Sequence, residues 1–398
     1  MALTKVITGV TDLNQAQSTN GLKFPTGNAF AGTPEEGMIR NDQSQASEGS
    51  ASTMQFYNGT AWKNFVNRDP TPLGSDNFNT VLYTGNSSTQ AITGVGFAPD
   101  FVWIKRRNTA EDHALYDSVR GINKQLSSNT TAAEATNSSP YEGLNSFDSD
   151  GFTSGNNGAT NRSPNTYVAW SWKAGGAAVS NTDGSITSSV SANTAAGFSI
   201  VSYTGNSSAN GTVGHALNSA PELIIVKNRD NGSALWSVYS SSVGASQTAH
   251  LDTTAAYSSS GDWNSTTATT DVFSIGSSAS GRTNSSAQNH IAYCFASVAG
   301  YSKIGSYTGT GLNLSINVGF EPAFILVKRT NAISAWRILD NKRFSGANKS
   351  SLSAQASAAE QVGYIDVGFN SSDFTINSTN VDFNASGGTY IYMAFAAT

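Results

Sequence analysis

The sequence predicts an all-β protein: a small N-terminal β module followed by three tandem antiparallel β-sandwich domains of jelly-roll or lectin-like type. Three observations carry this reading. Charged residues make up only 12% of the chain against 38% hydrophobic residues. The polar surface is therefore built mainly of Ser, Thr, Asn and Gly, which compete with helical hydrogen bonds or accept positive φ and so favour strands and turns. One set of strand markers occurs three times in the same order, and the last strand of each set alternates large apolar with small or polar residues.

Residues 1–70 do not share the repeat. They contain Gly21-Leu22-Lys23-Phe24-Pro25, Gly37-Met38-Ile39-Arg40 and Met54-Gln55-Phe56-Tyr57-Asn58-Gly59-Thr60-Ala61-Trp62. Asn58-Gly59 between aromatic runs is a strong hairpin signal. This segment reads as a small β module behind an arm.

The repeats read as 77–176, 177–300 and 301–398. Each opens on Tyr-Thr-Gly, at Tyr83-Thr84-Gly85, Tyr203-Thr204-Gly205 and Tyr307-Thr308-Gly309. A Pro-led apolar strand ending in Lys follows, from Pro99 to Lys105, Pro221 to Lys227 and Pro322 to Lys328. The next strand starts at His113, Trp236 and Trp336. A short strand carrying Asp150-Gly151-Phe152, Asp271-Val272-Phe273 or Asp373-Phe374 comes late, and Tyr167–Trp172, His290–Phe295 or Tyr390–Phe395 closes the set. Repeats of this length suit whole sandwich domains arranged as beads on a string. The Asn181-Thr182-Asp183-Gly184 turn predicts a hairpin between the first two repeats, and the close abutment at Ala299-Gly300-Tyr301 predicts a stiff junction between the second and third.

The net charge of −5, with Lys and Arg scattered singly, offers no basic stripe for nucleic acid. Cys294 is the single cysteine, which excludes an intrachain disulfide framework and a Cys-based metal site. No apolar run approaches the roughly 18 residues needed to cross a bilayer, and the N-terminus does not read as a signal peptide, so neither membrane insertion nor signal-directed export is expected.

Comparing the copies assigns the tempting side chains to the scaffold. Trp170 and Trp172 fall on the large apolar face of their strand, where the other copies carry Tyr293, Phe295, Met393 and Phe395, and so read as core. Cys294, on the small-residue face, reads as a packed thiol. His113 occupies an aromatic slot filled by Trp236 and Trp336, with no nucleophile and carboxylate beside it. Lys105, Lys227 and Lys328 read as solvated strand ends with packed stems. Asp148-Ser149-Asp150-Gly151 lacks the further ligands of a calcium loop and reads as a capped turn. No phosphate loop, clustered His, nucleophile elbow or facing carboxylate pair is present. No catalytic, cofactor-binding or metal-binding residue is assigned, no cofactor is expected, and the chain reads as non-enzymatic.

Several motifs of the first repeat, Tyr83-Thr84-Gly85-Asn86, Tyr116-Asp117-Ser118-Val119-Arg120-Gly121, Phe147-Asp148-Ser149-Asp150-Gly151-Phe152 and Tyr167 to Gly176, together resemble an uncharacterised domain of marine bacteriophage structural proteins. That domain recurs in tail-fibre-like proteins, including those of cyanophages. The second repeat resembles it less closely, and the third lacks both the Trp-Lys-Ala-Gly ending and the Tyr-Asp-Ser-Val-Arg-Gly run. Gly37-Met38-Ile39-Arg40 with Tyr57 to Trp62 looks like a short module of phage fibres and appendages.

The resemblance implies a virion structural protein, assembled in the host cytoplasm and released by lysis. It would be a tail fibre or similar appendage for host-surface attachment, docked to other virion proteins through residues 1–70. Such appendages are usually trimeric, which multiplies weak contacts with a bacterial surface glycan. A capsid decoration or head-fibre protein and a polysaccharide-degrading tailspike are the alternatives. Binding, if present, is expected in loops where the copies differ, such as Ile122 to Asn145 and Ala245 to Thr267.

Overall fold

A computed structural model describes residues 39–42, 53–57, 62–64, 74–139, 142–276, 281–345 and 348–396. The chain divides into two compact units, Met1–Asp69 and Pro70–Thr398. In the first, Ile39–Asp42, Thr53–Tyr57 and Trp62–Asn64 form an antiparallel sheet in that order, with Tyr57 paired to Trp62. The Asn58-Gly59 turn and the arm lie outside the described residues.

The regular structure of the second unit is almost wholly antiparallel strand, the fold class the sequence predicts. One strand order occurs three times: opening strand, closing strand, Pro-led strand, following strand. In lobe 1 these are Phe78–Thr84, Thr166–Trp172, Phe101–Arg106 and Ala114–Asp117. In lobe 2 they are Phe198–Thr204, Asn289–Phe295, Leu223–Asn228 and Ser237–Ser240. In lobe 3 they are Ser302–Thr308, Thr389–Ala396, Pro322–Arg329 and Arg337–Asp340. The late Asp-bearing strand of each lobe pairs elsewhere, as Gly151–Ser154 with Gln90–Thr93, Val272–Ile275 with Gly211–Gly214, and Asp373–Ile376 with Leu314–Asn317. Each lobe thus has a main sheet and a small sheet around an apolar filling, the layering of a sandwich. The predicted hairpin around 181–184 forms: Val179–Asn181 pairs with Ser188–Asn193, which extends the main sheet of lobe 2.

The Tyr-Thr-Gly motif has a packing cause. A Cβ on Gly85, Gly205 or Gly309 would sit 2.7, 2.2 or 2.4 Å from the carbonyl oxygen of Arg162, Ser285 or Ala385, so only glycine lets the backbones approach. The neighbouring segment supplies a buried Asn in each lobe. Its Oδ1 accepts from the backbone N–H after the glycine, Asn161 from Asn86 at 2.9 Å, Asn284 from Asn206 at 2.8 Å and Asn384 from Thr310 at 2.7 Å. The motif tyrosine donates to the carbonyl one residue before that Asn, at Thr160, Thr283 and Phe383.

Both faces of every closing strand are buried, and this separates the fold from a string of beads. The small-residue face lines the sandwich interior: Ala169 in lobe 1, Ala292 and Cys294 in lobe 2, Ala394 in lobe 3. The large face, with Trp170, Trp172, Tyr293, Phe295, Met393 and Phe395, joins one apolar core shared by all three lobes. Phe78 of lobe 1 stacks on Phe395 of lobe 3 at 5.1 Å between ring centroids, and Phe101 of lobe 1 on Tyr293 of lobe 2 at 4.4 Å. No lobe could cover that face with its own small sheet, which already occupies the other side, so the lobes cover one another. The centre is filled, with a void of only about 10 Å³ among apolar side chains such as Trp103, Trp236 and Met393. That is marginal room for one water.

Candidate functional site: the seams between lobes

The lobes meet head to tail in a closed cycle, the arrangement by which unlike faces generate a ring. The aromatic slot just before each following strand reaches into the preceding lobe of the cycle. Trp236 Nε1 of lobe 2 donates to Ser127 O of lobe 1 at 3.0 Å, and Trp336 Nε1 of lobe 3 to His250 O of lobe 2 at 2.9 Å. His113 Nε2 of lobe 1 meets Ser353 O of lobe 3 at 3.1 Å. The backbone repeats the cycle: Glu134 N donates to Arg229 O, Tyr257 N to Thr330 O, and Glu360 N to Arg107 O.

Buried ion networks reinforce two of the three seams. At the seam of lobes 1 and 2, Asp117 pairs with Arg120 at 2.5 Å, Arg120 with Glu134 at 3.1 Å, and Glu134 with Arg229 at 2.8 Å, while Tyr293 donates across to Asp117 at 2.8 Å. The seam of lobes 3 and 1 repeats this. Asp340 pairs with Arg343 at 2.7 Å, Arg343 with Glu360 at 3.3 Å, and Glu360 with Arg107 at 2.6 Å, with Trp170 Nε1 donating to Asp340 at 2.9 Å. Burial alone would raise the Glu134 carboxyl, but the guanidinium groups of Arg229 and Arg120 hold it below its usual range; Arg107 and Arg343 do the same for Glu360.

The seam of lobes 2 and 3 departs from this pattern at every position. Ser240, Val243, Tyr257 and Thr330 stand where the other seams carry Asp, Arg, Glu and Arg, and Met393 stands where Trp170 and Tyr293 donate. The buried hydroxyls of Ser240 and Tyr257 find no hydrogen-bond partner. A groove of about 410 Å³ opens here, lined by Ser242 and Val243 of lobe 2 and by Ser306, Thr308, Thr330 and Thr389 of lobe 3 among others. At the seam of lobes 1 and 2, the equivalent space is occupied by the Arg229 guanidinium, which reaches to 3.5 Å from Ser202 Oγ, the counterpart of Ser306.

The sequence-derived candidates take these places. Trp170 and Trp172 are buried, in the shared core rather than inside one sandwich. Cys294 is buried in the lobe 2 interior, and burial raises its thiol well above the usual range, away from the thiolate a nucleophile needs. His113 accepts from Trp103 Nε1 on Nδ1 at 2.8 Å, so its Nε2 carries the proton toward Ser353 O. Burial lowers it to about 3, which keeps the ring neutral. Asp150 caps a turn, accepting from Gly94 N at 3.0 Å and Gly96 N at 2.7 Å.

The lysines correct the sequence reading. Lys105, Lys227 and Lys328 are fully buried, not solvated, and burial lowers each ammonium to about 8. Each donates to backbone carbonyls: Lys105 to Arg106 O at 2.7 Å, Lys227 to Asn228 O at 2.7 Å, and Lys328 to Ser334 O at 2.5 Å and, across the seam, to Thr254 O at 2.9 Å. A strand that continues into a seam instead of into solvent gives the ammonium nowhere to emerge. Long stretches of the variable loops are also scaffold, since Leu126, Leu251 and Tyr257 join the shared core and Glu134 closes a seam.

The seam network was not found from the sequence, although a signal existed. Asp117-Ser118-Val119-Arg120 and Asp340-Asn341-Lys342-Arg343 share Asp-x-x-Arg beginning on the last residue of the following strand, where lobe 2 reads Ser240-Ser241-Ser242-Val243. Among the described residues, no group of three or more His, Cys, Asp or Glu could hold a metal ion, and no helix is long and apolar enough to cross a membrane.

Fold and seams together define the class, an all-β, sandwich-type protein whose lobes close head to tail around a shared core. The chain belongs to the protein family described as a domain of unknown function, DUF7483, whose match covers residues 73–398. No curated protein and no solved structure matches the chain.

Proposed function

We propose that this chain is a non-enzymatic structural protein of a bacteriophage particle, a tail fibre or similar appendage that contributes to attachment at the host surface. The observation that carries the reading is the construction of Pro70–Thr398: one compact β unit whose lobes interlock through a common core and cyclic seams without a disulfide. A particle-borne protein must stay folded outside the cell, and interlocked lobes with short turns suit that demand. In this reading residues 1–70 dock to other virion proteins, and trimerisation would multiply a unit that already repeats three times within itself.

The compactness of the second unit also favours a second form of the same role, a capsid decoration or head-fibre knob. Labelling the protein in intact particles separates the two. Density at the tail with a few copies per particle is expected for the appendage, and hundreds of copies on the shell would show the decoration protein. Absence from particles would overturn both. Particles assembled with a chain lacking residues 1–70 are expected to carry none of it.

A further inference from the structure

We propose that the groove between lobes 2 and 3 is a binding site for a neutral saccharide. Equivalent seams should look alike unless one is put to another use, and here two are filled by Arg–Glu pairs while the third has lost the four charged positions of that network and opened. Its volume of about 410 Å³ falls within the range of small-molecule sites. Its lining carries no Lys, Arg, Asp or Glu. An ionic ligand would lose its water there without a counter-charge. Ser242, Ser306, Thr308, Thr330 and Thr389 instead present hydroxyls, each able to donate and accept, which matches the alternating donors and acceptors of a sugar ring. Thr330 Oγ1 and Thr389 Oγ1 lie 2.6 Å apart and fix one another at the groove.

The inference rests on the attachment reading only for the source of the sugar. It is tested on the full chain with neutral gluco-, galacto- and manno-oligosaccharides of two to four residues, and with sialylated and uronate-bearing oligosaccharides as the charged set. Saturation-transfer NMR detects weak binding and calorimetry measures it. The expected result is binding of at least one neutral series and none of the charged set. The double variant Thr330→Arg with Tyr257→Glu, which rebuilds the pair found at the other seams, should lose that binding at least tenfold. If the double variant fails to fold, Ser306→Leu serves instead, because it places at the groove the residue type that Leu82 supplies in lobe 1. Failure of every neutral series to bind, equal binding of charged sugars, or undiminished binding by a folded groove variant would each overturn the proposal. Particle labelling tests attachment separately, so either idea can fail alone.

Discussion

At the residue scale, the three buried lysines are the least expected feature, because an ammonium hydrogen-bonded only to backbone carbonyls is costly to bury. Their backbone carbonyl partners offset part of that cost. The linkage follows from the shift: unfolded, each lysine titrates near 10.5, and folded near 8. Below pH 8 both states are protonated and the penalty is constant. Between 8 and 10.5 the unfolded chain binds more protons, so stability rises with pH. Lys227→Met should remove one share of that gain. From pH 7.5 to 9.5, the stability of the wild type relative to the variant should rise by on the order of 2 kcal/mol. Thermal unfolding of both proteins at the two pH values checks this, and a difference independent of pH would contradict it.

At the scale of elements, the Tyr-Thr-Gly turn and its Asn clamp hold the opening strand against the segment that leads into the closing strand. Asn284 accepts from Asn206 N and donates to Ser208 O at 2.8 Å. Asn284→Ala would leave both backbone groups without this partner in a buried site, at a cost of about 2 to 4 kcal/mol. Urea unfolding of the variant beside Ser241→Ala, an exposed site expected to change stability by less than about 0.5 kcal/mol, measures it. The clamp was legible in retrospect. Asn161, Asn284 and Asn384 each stand the same distance before Tyr167, His290 and Tyr390. A polar residue recurring in a Ser- and Asn-rich chain does not stand out by composition, and its burial depends on a contact remote in sequence.

At the scale of the molecule, the shared core makes the lobes interdependent. A lobe cut out as residues 77–176 would expose Phe101, Trp103, Trp170 and Trp172 together, a patch far larger than soluble monomers tolerate. Residues 73–398 are therefore expected to unfold in a single cooperative transition, and the excised lobe to be insoluble or molten. Calorimetry on the longer piece and near-ultraviolet circular dichroism on the shorter one decide it; a folded, soluble single lobe would show that the shared core is dispensable.

The sequence by itself determined the strand content, the repeated order of markers and the alternation that divides each closing strand into a large and a small face. These are local properties, set by backbone propensity and by a period of two. What covers each face was decided only by the tertiary structure. Alternation shows that a face is apolar, not which partner meets it, and here the small faces took the sandwich interiors while the large faces met one another across lobes. The same limit hid the lysines and the groove. A strand-end lysine and a Ser-Thr-rich edge read as solvent-facing until the neighbouring lobe is placed, because burial and cavity are relations between segments far apart in the chain.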